Sequence, residues 1–370
     1  MHILLLQIYH IYCLHLADMC DNMSVVIRLQ KLAMPATGRK TCGPSFFLQK
    51  YMEKNMPKKP IKPFITYSDQ INILTQKKQL NISDLSYAEG KLHDIGYYSL
   101  IDGYKDIFYN PMTRTYENGT KFTDLVALYE FDENLRSLVF KYICHIEQKI
   151  RSLISYSFCE AFSENQSAYL NPLNYNVSRK NRQDISKLIS MLTYEANQNT
   201  EHNYVVYQRK TYGNVPLWVI MKTLTLGQTS KMYSFMLPSI KSKVSVHYGN
   251  ITEKELIQYL KVLTVFRNIC AHNERLFSFE TRFEIPDTAL HKKMGIPQKG
   301  TQYLYGKHDM FALLIAFRYL LDKDDFTSLK KELTKLINRF CTATSPTQKN
   351  KLLQAMHFPS NWSNITRYKL

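Results

Sequence analysis

Hydrophobic residues recur every three or four positions through much of the chain, which is the spacing of one face of an α-helix. The longest such stretch runs from 123 to 162 and contains neither glycine nor proline. Long alternation of apolar and polar residues, which is typical of strands, is rare. The pattern therefore predicts a mainly α fold. The regularly spaced apolar residues of the longest stretch are Leu135, Leu138, Val139, Tyr142, Ile143, Ile146, Ile150, Leu153 and Ile154.

Shorter periodic stretches predict further helices on both sides. Ser83 is the expected N-cap of one of them, with Leu85 on its apolar face. Thr252 starts another with a Thr-x-x-Glu capping box. Residues 164–210 are polar and are expected to be loop-like, except around 184–196. The predicted helices span 66–78, 83–95, 123–162, 184–196, about 216–227, 230–237, 252 to about 272, 310–321 and 325–340.

Proline and glycine mark expected helix boundaries between 216 and 238. Pro216 suits the first turn of a helix, because a residue there needs no backbone N–H. Gly227 is expected to end or bend that helix, and Pro238 is expected to stop the next one.

Charge and the predicted helices together suggest four segments. Residues 22–80 carry eleven lysines and arginines against only two acidic residues. We expect the first segment to be poorly ordered, with the functional protein starting near Met52 or Met56. The predicted segments are 1–56, a basic extension; 57–120, an N-terminal helical region; 121–290, a helical core; and 291–370, a C-terminal helical extension.

The apolar stretch Ile3–Ala17 does not predict a membrane segment. It is about 15 residues long and contains polar interruptions, whereas a spanning helix needs roughly 20 apolar residues. It also lacks the basic start and the small-residue cleavage site of a signal peptide. We therefore expect a cytoplasmic protein without a membrane partner.

The seven cysteines indicate neither a disulfide framework nor a metal site. Their number is odd and no two of them form a C-x-x-C pair, which is typical of a protein from a reducing compartment. No cofactor-binding loop and no convincing set of metal ligands is present. The sequence therefore predicts a protein that uses neither a metal nor a cofactor.

The charge balance is more informative about a binding partner. The chain holds 48 Lys and Arg against 31 Asp and Glu, which gives a net charge of +17. Such a surplus favours a polyanionic partner, since neutralising phosphates releases bound counterions. The alternative is a basic surface that is only solvated. We expect RNA as the partner because of one short motif.

That motif is the stretch 267–272, which lies near the end of the predicted site helix. Arg267 can hold a phosphate, since a guanidinium is always charged. Histidine titrates near neutrality, so His272 can move protons. Asn268 lies four residues before His272 and hence on the same stripe of a helix. In the alternative interpretation, Arg267 pairs with an acid and His272 caps the helix.

A second copy of the chain would strengthen this site. A five-residue step along a helix turns by about 140° and rises about 7.5 Å, so Arg267 and His272 of one chain need not touch. A twofold homodimer would bring two copies of each into one cleft. Glu147 and Arg151 lie four apart at the edge of the long helix. They form either a surface ion pair or a rim that orients the RNA site.

The segment 267–276, RNICAHNERL, resembles the R-N-x-x-A-H signature of HEPN ribonucleases, specifically Abi-like proteins of the AbiD/AbiF type. Three other segments match that family in order, and together the four lie within roughly 62–286. These segments are LHDIGYYSLIDGY at 92–104, LYEFDENLRSLVFKYICHIEQKIR at 128–151 and PLWVIMKTLTLGQTS at 216–230.

The resemblance implies a HEPN-type helical bundle that forms a homodimer. It implies metal-independent RNA cleavage in bacterial abortive infection, a toxin-like defence against phages. Arg267 and His272 are carried over as catalytic residues, and Asn268 as their polar neighbour. Some relatives are implied to be silenced by a small non-coding RNA, and a protein antitoxin is a further candidate partner.

The predicted function is therefore an endoribonuclease that leaves 2′,3′-cyclic phosphate ends. The alternative is a non-catalytic RNA-binding protein that forms a ribonucleoprotein with a small RNA. A third interpretation is a helical partner-binding protein without a nucleic-acid role.

Overall fold

Helices form most of the protein in the computed structural model, which describes residues 63–249 and 251–368. The mainly α fold is confirmed. The predictions for residues 1–56 lie outside the described residues. From Ile65 onward the described chain forms one compact unit, within which the boundaries at 120 and 290 stay predictions.

The helices are α1 (Tyr67–Asn72), α2 (Leu85–Ile95), α3 (Phe122–Ala161), α4 (Gln166–Leu170), α5 (Arg182–Asn197), α6 (Asn203–Tyr212), α7 (Leu217–Ile220), α8 (Leu226–Phe235), α9 (Pro238–Ser245), α10 (Glu253–Ala271), α11 (Ala289–Lys293), α12 (Met310–Leu320), α13 (Lys323–Ala343) and α14 (Pro346–Ala355). Short π-helical turns lie at Ile73–Lys77 and Tyr98–Asp102, and 3-10 turns at Pro172–Asn174, Val246–Tyr248 and Trp362–Arg367. Two antiparallel hairpins pair β1 (Tyr109–Asn110) with β2 (Thr115–Tyr116) and β3 (Gln298–Lys299) with β4 (Gln302–Tyr303).

Helix α3 is the longest element among the described residues and confirms the prediction for 123–162. Its start is fixed by the Asp124 carboxylate, which accepts a 2.8 Å hydrogen bond from the Lys121 amide. Its apolar stripe is buried along nearly the whole length. Helices α7, α8, α9, α10 and α13 all pack against it. The core of the protein is therefore arranged around α3.

The N-cap of helix α2 lies one residue later than predicted. Asp84 is its N-cap, because the Asp84 carboxylate accepts a 2.9 Å hydrogen bond from the Tyr87 amide; Ser83 was the wrong choice. Leu85 is 58% exposed, so its predicted place on the apolar face is also wrong. The buried face of α2 is formed by Ala88 and Leu92, which are both fully buried.

The polar region after α3 contains more helix than predicted. Besides α5, which covers the expected 184–196, the chain forms α4 and α6. Val205 is the only buried residue of α6, so hydrophobic periodicity could not reveal this helix. Instead, the Arg209 guanidinium donates hydrogen bonds of 2.9 and 3.0 Å to the carbonyls of Ala196 and Asn199 at the end of α5.

The helix predicted from Pro216 to Gly227 is wrong. Helix α7 ends at Ile220, and α8 starts six residues later with a capping box in which Thr225 is the N-cap. Gly227 lies in the first turn of α8. A Cβ there would come within 3.2 Å of the Thr264 methyl group, so the glycine permits α8 to approach α10 closely.

Pro238 starts α9 rather than only ending the helix before it. Its position in the first turn fits proline, which has no N–H to leave unpaired. Further along the chain, α12 and α13 confirm the helices expected at 310–321 and 325–340, whereas α11 and α14 were not predicted. None of the helices in 63–249 and 251–368 combines the length and apolar character of a membrane span.

Candidate active site

Helix α10 carries the predicted motif, and its start is fixed as the sequence indicated. The Thr252 hydroxyl accepts a 3.3 Å hydrogen bond from the Glu255 amide, and the Glu255 carboxylate accepts a 2.8 Å bond from the Thr252 amide. The apolar face of α10 is buried apart from the partly exposed Cys270. Its buried members are Leu256, Tyr259, Leu260, Leu263 and Phe266.

The end of α10 has a Schellman geometry that places the histidine in solvent. His272 is the C-cap and Asn273 follows in the left-handed region with φ 56°. The Glu274 amide donates to the Ile269 carbonyl at 3.1 Å, and the Asn273 amide donates to the Cys270 carbonyl at 3.3 Å. These two bonds satisfy carbonyls that a helix end leaves free. The His272 side chain is therefore held outside the core.

The His272 imidazole is exposed. Within the described residues it has no hydrogen-bond or ion-pair partner. Its backbone N–H donates to the Asn268 carbonyl at 2.9 Å, and the Asn268 side chain is exposed as well. Both side chains are thus accessible to a ligand, on the stripe that the four-residue spacing predicted.

Arg267 lies between the core and the surface. Its side chain is partly buried, and the guanidinium carbon lies 5.4 Å from the centre of the Phe140 ring on α3. None of the described residues is an acidic partner of Arg267, whereas His272 is the C-cap of α10, as the alternative interpretation expected. The Arg267 Nε atom is inaccessible and makes no hydrogen bond to the described part of the chain. The guanidinium charge therefore has no compensating anion from the described protein.

Glu147 and Arg151 do not form a surface ion pair. The Glu147 side chain is 7% exposed and that of Arg151 is 24% exposed. Arg151 donates through Nη2 to the Glu147 carboxylate and to the Leu224 carbonyl. Leu224 lies in the loop that leads into α8, so this pair joins the middle of α3 to the segment 216–230.

The charges of Glu147 and Arg151 act on the same thiol, Cys144, as the charge of Arg267. Burial raises the pKa of the Cys144 thiol, Glu147 raises it further, and the Arg267 and Arg151 guanidiniums oppose both effects. Cys144 lies one helical turn after Phe140 on the same face of α3. The charges of both arginines therefore act on the same short stretch of α3.

A buried charged cluster that the sequence pattern did not indicate holds the chain after the motif. The Asp132 carboxylate on α3 is fully buried and accepts four hydrogen bonds. Two come from the side chains of Arg136, at 2.7 Å, and Tyr104, at 2.8 Å. The other two come from the backbone amides of Leu276, at 2.9 Å, and Phe277, at 2.7 Å. This cluster therefore fixes the chain directly after His272 and its turn.

Further contacts hold the same segment. Arg136 donates to the Glu274 carbonyl at 3.3 Å, and Arg275 donates at 2.8 Å to both the Gly103 carbonyl and the Asp106 carboxylate. The signal that could have revealed the cluster is an Asp and an Arg four residues apart at positions inside the apolar stripe of α3.

The thiols nearby are not poised as nucleophiles. Burial raises the pKa of Cys270 to about 12, with smaller effects from Asp132, Arg136 and Cys144. A thiol with that pKa stays protonated at neutral pH, whereas reactive cysteines act as thiolates. Within the described residues, no group of three or more His, Cys, Asp or Glu side chains is placed to hold a metal ion. Cys270 is therefore not a candidate nucleophile, and Arg267 and His272 remain the candidate catalytic groups at this end of α10.

The sequence model of the Abi-like protein family matches residues 90–278, just over half of the chain. The chain belongs to the Abi-like protein family. Searches of curated proteins and of solved structures give no match. The matched region of this Abi-like chain includes α3 and α10. It ends one residue after Phe277, whose amide donates a hydrogen bond to the Asp132 carboxylate.

Proposed function

We propose that this Abi-like protein is a metal-independent endoribonuclease of the HEPN type, related to the AbiD/AbiF-type proteins, that acts in bacterial abortive infection. Membership in the Abi-like family supports a role in defence against phages. The net charge of +17 supports a polyanionic substrate. The R-N-x-x-A-H motif supports RNA cleavage in particular.

One observation supports the proposal most. Arg267 presents a guanidinium that no described carboxylate neutralises, and the exposed His272 ends the same helix. A charge left without a partner near apolar side chains is costly, and a bound anion removes that cost. A phosphate of RNA is the anion that this pair fits, because guanidinium binds phosphate through a planar fork.

In the proposed reaction the 2′-oxygen of the RNA loses its proton and attacks the adjacent phosphorus. The bond from phosphorus to the 5′-oxygen breaks, and that oxygen takes up a proton. Arg267 stabilises the charge on the non-bridging oxygens, and His272 transfers one of the two protons. The products are a 2′,3′-cyclic phosphate and a 5′-hydroxyl, and no metal or cofactor takes part.

A single histidine serves one of the two proton transfers, so a second proton-transfer group is needed. We propose a homodimer in which the second His272 comes from the partner subunit across a twofold axis. Asn268, exposed on the same stripe, is a polar neighbour that orients the phosphate. Glu147 and Arg151 support the site from within the protein, because they join α3 to the loop before α8.

The test is cleavage of total RNA by the purified chain in EDTA, with mapping of the new ends. We expect cyclic-phosphate ends in the wild type and none in Arg267→Ala or His272→Ala. Two matched controls should stay active. His247→Ala removes another exposed histidine, and Arg282→Ala removes another arginine that lies over a phenylalanine, at 4.9 Å from the Phe283 ring centre.

Two results would count against the proposal. Cleavage that needs an added divalent metal contradicts the mechanism. Salt-sensitive RNA binding without any cleavage favours the non-catalytic ribonucleoprotein. A small RNA or protein antitoxin that co-purifies with the chain would be removed under denaturing conditions before the assay, so that silencing is not mistaken for lack of activity.

A further inference from the structure

A second cationic and aromatic group lies outside the proposed catalytic residues. Tyr204, in the first turn of α6, is 36% exposed. The Lys222 ammonium lies 4.8 Å from the centre of its ring. The His202 ring is stacked on it with centres 5.3 Å apart and planes inclined by 23°. We call these three residues the Tyr204 platform.

The Tyr204 platform is connected to α3 through Arg151. Lys222 lies two residues before Leu224, whose carbonyl accepts a hydrogen bond from Arg151. The positive charge of Arg151 also acts on the Tyr204 phenol: burial and the Glu195 carboxylate raise the phenol's pKa, and Arg151 opposes them. Arg151 therefore links the two regions: it bonds to the loop that carries Lys222, and it lies on the same helix as Phe140, whose ring Arg267 covers.

The composition of this platform suits a flexible strand of nucleic acid better than an apolar partner. Lys222 is exposed and can meet a phosphate, and the ring beside it can meet a base. Every base has a flat face that stacks on aromatic rings, whereas the bases of a duplex already stack on one another. Among the described residues, Glu195 is the carboxylate whose charge acts on the Tyr204 phenol. The Glu195 carboxylate also accepts a 2.7 Å hydrogen bond from the Asn199 side-chain amide.

We propose that the Tyr204 platform binds single-stranded RNA beside the proposed cleavage site, with a base taking the place of the Lys222 ammonium on the Tyr204 ring, which His202 supports, and with Lys222 moving to the adjoining phosphate. The effect expected on cleavage rests on the proposed function. The new content is that the substrate is single-stranded and that these three residues determine how tightly it binds. The binding itself can be measured without cleavage.

The binding test uses the full chain carrying His272→Ala and a fluorescein-labelled single-stranded RNA, followed by fluorescence anisotropy over a range of salt concentrations. Adding Tyr204→Ala should weaken binding about tenfold, whereas Tyr204→Trp should restore it. Lys222→Gln should weaken binding and reduce the slope of log K against log salt by about 0.7. Duplex RNA of the same sequence should respond little to either change.

Tyr207→Ala is the matched control. Tyr207 is on the same helix and 56% exposed, and its ring contacts Tyr212 edge-on at 6.1 Å. Tyr207→Ala should bind the single-stranded RNA as tightly as the His272→Ala chain to which it is added. Equal losses in Tyr204→Ala and Tyr207→Ala would overturn the platform, as would a loss that Tyr204→Trp fails to restore.

Cleavage by the otherwise wild-type chain separates this proposal from the proposed function. Tyr204→Ala should raise KM for single-stranded RNA and leave kcat nearly unchanged. If the wild type cleaves RNA and Tyr204→Ala binds as tightly as its parent, the platform is wrong and the ribonuclease stands. If no RNA is cleaved but Tyr204→Ala still loses binding, the platform stands and the ribonuclease is wrong.

Discussion

The Asp132 carboxylate on α3 accepts a 2.7 Å hydrogen bond from the backbone amide of Phe277, five residues after His272. The same carboxylate is bound by the Arg136 guanidinium at 2.7 Å, and both side chains are buried. The position of the proposed catalytic histidine is thus tied to an ion pair inside the protein. Stability and activity should therefore respond together to changes in this pair.

Asp132→Ala should lower the free energy of unfolding by about 3–5 kcal/mol, because it leaves the Arg136 charge buried without its partner. Urea denaturation followed by circular dichroism measures this change. The double variant Asp132→Leu with Arg136→Met removes both charges and should lose less than Asp132→Ala alone. A single variant that loses under 1 kcal/mol would show that the pair does not hold the segment after His272.

Asn273 should tolerate glycine but not a β-branched residue. Its φ of 56° is left-handed, which costs most L-residues about 1–2 kcal/mol. We expect Asn273→Val to unfold at lower urea and to cleave RNA more slowly, because the turn after His272 is distorted. Asn273→Gly is the matched control and should keep wild-type stability and cleavage. If both variants have the same stability and cleavage rate, the left-handed backbone at Asn273 does not determine either of them.

The charge of Arg267 should not be sufficient for cleavage. Arg267→Lys keeps the charge but loses the planar fork and its contact with Phe140, so we expect the cleavage rate to fall by roughly 10²-fold. Phe140→Leu should have a smaller effect, since a cation–π contact contributes about 0.5–2 kcal/mol. Single-turnover cleavage assays measure both. Full activity in Arg267→Lys would mean that only a positive charge is needed.

The buried histidine of the C-terminal region should make stability depend on pH. His291 is fully buried; its Nε2 lies 2.7 Å from the Gly306 carbonyl, and burial lowers its pKa below the usual 6.5. The unfolded chain therefore takes up a proton before the folded one does. The stability contributed by neutral His291 is present above about pH 6.5 and is lost as the pH falls below it.

Thermal unfolding at a series of pH values tests this expectation. The melting temperature of the wild type should fall between about pH 7.5 and about pH 5. His291→Gln should melt lower at neutral pH, but its melting temperature should depend less on pH over the same range. Parallel curves for the two proteins would assign the pH dependence to other groups.

The elements with regular, local signals were predictable. Helix α3 has an unbroken apolar stripe, and α10 has a capping box at Thr252, so both were predicted nearly to their ends. Helix α6 was missed because it buries only Val205 and is joined to the rest of the protein by Arg209, which bonds to the carbonyls at the end of α5. Such contacts join segments through side chains and leave no periodic pattern in the sequence.

The candidate site was predicted in part for the same reason. The four-residue spacing indicated that Asn268 and His272 lie on one stripe of the helix. It could not indicate that Arg267 lies over Phe140, or that Arg151 donates to the Leu224 carbonyl. Both contacts join residues more than 70 positions apart in the chain.

Helix α3 sets the distances among all these groups. With about 1.5 Å of rise per residue, its 40 residues extend for about 60 Å. Six of them follow one another at intervals of three or four, and so share one face: Asp132, Arg136, Phe140, Cys144, Glu147 and Arg151. Inserting or deleting a single residue near Phe140 would turn one half of this row by about 100° from the other. We therefore expect relatives that keep the site to vary in composition across 132–151 but not in length.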